Sequence, residues 1–121
     1  MRTMTILIES DEAAARGRMR RDFLRAARTR RYQGEVRSFE SPAALFRVFT
    51  PARWSLIERL QSLGPVSLRG LARALERDVK SVHRDVQVLM QEELVARDSE
   101  GRFCVPFARI HAEFDMARAA A

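Results

Sequence analysis

Apolar and polar residues alternate with helical spacing through the middle of the chain. Leu68, Leu71, Ala72 and Leu75 fall on one side of a short helix that Ser67 is placed to cap. Val82, Val86, Leu89 and Met90 fall on one side of a second helix, with Asp78 at its cap position. Glu76-Arg77-Asp78 is the turn between them. At about 100° per residue, Lys80, Ser81, Arg84, Gln87 and Gln91 lie opposite the apolar stripe of the second helix, with His83 and Asp85 on its flanks.

The flanking pattern predicts further elements. Thr3–Glu9 has the β-branched content of a short strand, and Ser10 is a cap for a helix running to about Arg30. Gly34 ends that unit, and Glu35–Glu40 alternates as a second strand that pairs with the first. Ser41-Pro42 and Thr50-Pro51 are two preorganised helix starts, giving two helices or one kinked at Pro51. Trp54, Leu56, Ile57, Leu60 and Leu63 make the second of these a core helix, and Gly64-Pro65 stops it. Val66 is a brief strand residue. Leu94–Arg97 and Arg102–Val105 alternate on either side of Asp98-Ser99-Glu100-Gly101, which predicts a hairpin with Gly101 at positive φ. Ile110–Phe114 reads as a last strand or helix. The expected organisation is a mainly α (α+β) chain: a strand-helix-strand extension over 1–40, a helical unit with a hairpin over 41–106, and a tail over 107–121.

Charge adds a partner class. The 121 residues carry a net charge of +6, and 21 of the 22 basic residues are Arg, Lys80 being the single Lys. Clustered positive charge points to a polyanion. Eight arginines fall between Arg16 and Arg31 against one carboxylate, Asp22, which suits a DNA-backbone contact, an RNA contact or the basic rim of a dimer interface. No apolar run approaches membrane-spanning length, and the start MRTMTILIES turns acidic too soon for a secretory signal. One cysteine, Cys104, excludes an internal disulfide framework and suits a cytoplasmic setting.

Helix, short strand, helix, turn, helix, hairpin is the order of a winged helix-turn-helix domain. Residues 64–106 resemble the core of MarR-like winged-helix transcriptional regulators. More narrowly, Lys80-Ser81-Val82-His83-Arg84-Asp85-Val86 resembles the KxVHRDV recognition helix of a group of small predicted prokaryotic DNA-binding regulators. The resemblance extends over about Ser38 to Phe114. It implies a homodimer acting on double-stranded DNA as a regulator, most simply a repressor; some members of the group are antitoxins that pair with a toxin protein. The group usually has Gly in the turn before the recognition helix, where this chain has Glu76. A left-handed backbone there costs Glu about 1 kcal/mol more than Gly, so an αR turn or a longer first helix is expected.

The residues themselves allow two readings of the polar helix face: an ordinary solvated surface or a DNA contact. Arg84 can fork onto guanine and Gln87 can pair with adenine, whereas Lys80 and Ser81 suit phosphates. His83 suits a phosphate or a neighbouring helix better than a metal, since nothing at ligand spacing accompanies it. Asp85 is expected to brace Arg84, Arg69 or Arg73. Ser67 and Arg69 start the first helix of the pair, and Arg97 and Arg102 flank the hairpin tip, so all four join the expected DNA surface. No residue set supports catalysis, a cofactor or a metal site, and Cys104 alternates in a strand as a structural or inert thiol. The strand and Arg-rich helix of Thr3–Arg31 have too little apolar face to stand alone and are expected to form a dimerisation arm. Binding of RNA through Arg16–Arg31 is the remaining alternative.

Overall fold

Ile6 sits at the middle of β1 (Thr3–Ile8), the central strand of a three-stranded sheet, and its side chain is fully buried. The computed structural model describes residues 2–8 and 34–116; the helix expected between Ser10 and Arg30 lies outside the described residues. On one side β1 pairs with β2 (Glu35–Phe39), Met4 opposite Glu35; on the other it pairs with β5 (Arg109–Glu113), Thr3 opposite Arg109. Both pairings are parallel. The expected pairing of the first two strands is present, and residues 109–113 of the stretch set apart as a tail form a strand of the same sheet.

Four helices follow among the described residues, the first of them lying against β2. Ser41 caps α1 (Pro42–Val48) and Thr50 caps α2 (Pro51–Leu63), each accepting a backbone N–H three residues on. The Pro-led restart thus separates two helices, because Pro51 offers no N–H to continue the first. Leu56, Ile57 and Leu60 of α2 are buried, whereas Leu63, expected in the core, is exposed at the helix end. Gly64 closes α2 at φ 75°, donating to Leu60 O. Then follow α3 (Leu68–Leu75), α4 (Val79–Gln91) and a hairpin of β3 (Ala96–Arg97) and β4 (Phe103–Cys104). Val66 pairs with Phe103 through reciprocal hydrogen bonds of 3.0 and 2.7 Å, which ties the entry of α3 to the hairpin.

One hydrophobic core joins these parts. Met4 and Ile6 of the sheet, Phe49 after α1, Leu56 and Leu60 of α2, Leu71 of α3, Val82, Val86 and Leu89 of α4, and Phe103 and Phe107 belong to a single cluster. The divisions expected at 40/41 and 106/107 therefore run through a shared core. Phe49 is its aromatic hinge: Trp54 stacks on it at 4.8 Å and Phe39 meets it edge-on at 5.7 Å. Arg37 of β2 donates to Glu92 at 3.1 Å and to Gln91 O at 3.1 Å, fixing the sheet to the carboxyl end of α4.

Candidate nucleic-acid interface

Helices α3 and α4 end by the same device. Arg77 N–H bonds to Ala72 O and Glu76 N–H to Arg73 O, both at 3.1 Å, with Glu76 left-handed at φ 54°. That is a Schellman closure, built on Glu where Gly is usual. The expected αR turn or longer helix is thus absent: the two carbonyls captured at the helix end offset the strain on Glu76. At the end of α4, Leu94 N–H bonds to Leu89 O and Glu93 N–H to Met90 O, with Glu93 at φ 65°. Sequence reasoning missed this second left-handed Glu.

Asp78 starts α4. Its carboxylate accepts from Lys80 N–H at 2.9 Å and from the Ser81 hydroxyl at 2.6 Å. Those two donors, the Ser81 hydroxyl foremost, hold the Asp78 carboxyl below its ordinary value of 3.8. The Ser81 proton is therefore already committed, and its oxygen can offer an incoming group only acceptor capacity.

The expected outer face of α4 is exposed. Lys80, His83, Arg84 and Gln87 all face solvent, and Ser81 is half-buried. His83 and Gln87 meet at 3.2 Å, one turn apart, which aligns the Gln87 amide along the helix. Lys80 and Arg84 make no side-chain hydrogen bond or ion pair among the described residues. On α3, Ser67 is spent as the cap, accepting from Gly70 N–H at 3.0 Å, and Arg69 is exposed.

Asp85 departs from expectation. It is 8 % exposed and faces inward. Its partners are Arg53 of α2 at 2.9 Å and Arg77 of the turn at 2.7 Å, in place of Arg84, Arg69 or Arg73. Burial works against the charged carboxylate, but the hydrogen bonds from Arg77 and Arg53 outweigh it and hold the group below 3.8. Arg53 also donates to Val48 O at 2.8 Å. The clamp fixes the rotation of α4 and with it the aim of the opposite face. Sequence reasoning missed both arginines.

The hairpin is asymmetric. Asp98 accepts from the N–H groups of Arg102 and Glu100, each at 2.9 Å, and these bonds, that of Arg102 first, hold its carboxyl below 3.8. The Arg102 side chain is engaged by Asp98 and Glu100, each at 3.1 Å. Arg97 instead lies over the Phe103 ring at 5.4 Å with no carboxylate partner among the described residues. Cys104 is a half-buried free thiol. Among the described residues no three His, Cys, Asp or Glu side chains gather as a metal site, and no helix is long and apolar enough to cross a membrane.

The molecule so defined is a small α+β protein with a three-stranded parallel sheet, four described helices and a basic helix face braced from behind. A family model described as HVO_A0114 matches residues 48–112, more than half of the chain. The protein belongs to the HVO_A0114 family. No curated protein matches the chain. A solved structure titled as a protein with unknown function from Listeria innocua Clip11262 is similar at 23% identity and a TM-score of 0.44, over 78% of this chain and 67% of that one.

Proposed function

We propose that this protein is a sequence-specific double-stranded DNA-binding regulator of winged helix-turn-helix type, with α4 as the recognition helix and the β3–β4 hairpin as the wing. The observation that carries the reading is the division of α4 into two faces. Val82, Val86 and Leu89 are fully buried and Asp85 is clamped, while Lys80 and Arg84 stand exposed beside Gln87 with no side-chain hydrogen bond or ion pair among the described residues, Asp78 acting on Arg84 only at a distance. A helix held rigidly from behind and offering a guanidinium and an amide is suited to base edges in a major groove. Lys80 and Arg69 serve phosphates, which set register. Val66, bridged to Phe103, ties the entry of α3 to the β3–β4 hairpin, which supports reading that hairpin as a wing. A cytoplasmic homodimer reading an inverted repeat, most simply as a repressor, completes the proposal.

Selection of binding sites from random duplexes, followed by titration at fixed salt, tests it. Arg84→Ala is expected to weaken the selected site by about tenfold or more while leaving binding to random duplex nearly unchanged. Equal binding of the selected site by the variant, or stronger binding of structured RNA than of duplex by the wild-type chain, would overturn the assignment.

A further inference from the structure

Strand β5 is an edge strand: β1 occupies one of its sides, and among the described residues nothing pairs with the other. Natural sheets guard such edges with charged side chains, Lys above all, with Pro, with bulges or with a covering element. The strand Arg109-Ile110-His111-Ala112-Glu113 has neither Lys nor Pro. Its charges are arranged instead to complement themselves when the strand is reversed, basic at one end and acidic at the other. Arg109 makes no ion pair among the described residues, and Glu113 meets only His111, at 3.2 Å.

We propose that β5 pairs with β5 of a second copy, antiparallel about a two-fold axis at His111, joining two three-stranded sheets into one of six. In that register Arg109 lies opposite Glu113 of the copy, Ile110 opposite Ala112, and His111 opposite its own mate. The Arg109–Glu113 pair thus forms twice, once on either side of the axis, as an isologous interface demands. The apolar pair falls on the face that already carries Trp54 and Ile57. There a groove of about 220 Å³, lined by Trp54, Ile57, Glu58, Gln61, Ile110 and Ala112, opens beside the strand. The Ile110 side chain of the copy, placed opposite Ala112, closes the mouth of that groove.

The other edge of the sheet does not offer the same fit. An antiparallel β2 pair centred on Arg37 would set two guanidinium groups face to face and Glu35 opposite Phe39. Arg37 is in any case drawn to Glu92. Nor can β1 serve, since both its edges are bonded. Residues 9–33, the remainder of the arm expected from sequence to dimerise, lie outside the described residues.

The proposal concerns the protein without DNA and does not depend on the DNA reading. Sedimentation equilibrium of the full chain is the test. The wild type is expected to be a dimer, Arg109→Glu to raise the dissociation constant about tenfold or more, and Arg109→Glu/Glu113→Arg to return it to within about threefold. Hydrogen exchange across Arg109–Glu113 provides a readout without substitution: protection should rise with protein concentration in step with dimer formation. A monomeric wild type, a dimer indifferent to Arg109→Glu, a charge swap that fails to restore association, or exchange in this strand independent of concentration would each overturn the proposal.

Discussion

Arg53 Nε donates to Asp85 Oδ1 at 2.9 Å, tying α2 to the inner side of α4, while Arg77 holds the other oxygen at 2.7 Å. Three charges thus share a largely buried site, and removing the central one leaves two cations facing each other. Breaking a buried ion pair by truncating one partner costs about 3–5 kcal/mol. Asp85→Ala should therefore lower the unfolding free energy by about that amount in urea titration. Arg53→Ala should cost less, since Arg77 still satisfies the carboxylate.

The same clamp sets an acid dependence. The folded-state value of Asp85 lies below 3.8, so its contribution is fully present above the unfolded value and is lost as pH falls through the folded one. Wild type and Asp85→Asn should differ most at neutral pH, and the difference should shrink below about pH 4. A gap that stayed constant down to acid unfolding would show that the carboxylate contributes no charge-dependent stability.

Glu76 and Glu93 hold left-handed backbone at φ 54° and 65°. Each Glu→Gly substitution should raise stability by about 1 kcal/mol, because the strain is relieved while the Schellman hydrogen bonds remain. The two ends belong to different helices, so the double variant should be close to additive in thermal unfolding.

Gly70 behaves oppositely. A Cβ there would stand 2.8 Å from Val66 Cγ2 and 3.1 Å from Ser67 Oγ. Helix propensity favours Ala over Gly by about 1 kcal/mol, but Val66 is pinned by its two bonds to Phe103 and cannot withdraw freely. Gly70→Ala is accordingly expected to destabilise by about 1 kcal/mol or more, measured by chemical denaturation. A stabilised variant would mean that Val66 yields easily.

These contrasts mark what the sequence made legible. The caps Ser41, Thr50, Ser67 and Asp78 act over two or three residues, so local chemistry placed four helix starts correctly. Local periodicity likewise separated the faces of α4. It could not locate the partners of Asp85, which are 8 and 32 residues away and carry no periodic signature. The same limit applies to β5. Its five residues read equally as strand or helix, and pairing with β1, at the far end of the chain, decided between them.

The two hairpin arginines looked equivalent in the sequence and are not so in the fold. Arg102 is held by Asp98 and Glu100, whereas Arg97 rests on Phe103 and keeps its charge uncompensated. If the hairpin is the wing of a DNA-binding domain, its phosphate contact falls to Arg97. Arg97→Ala should weaken DNA binding uniformly across sequences and reduce the salt slope by about 1. Arg102→Ala should leave that slope nearly unchanged, because its charge is already neutralised, and should act on hairpin stability through the lost turn contacts. Salt titrations of both variants against one duplex decide the point. An equal loss of slope for the two would mean that Arg102 leaves its carboxylates when DNA binds.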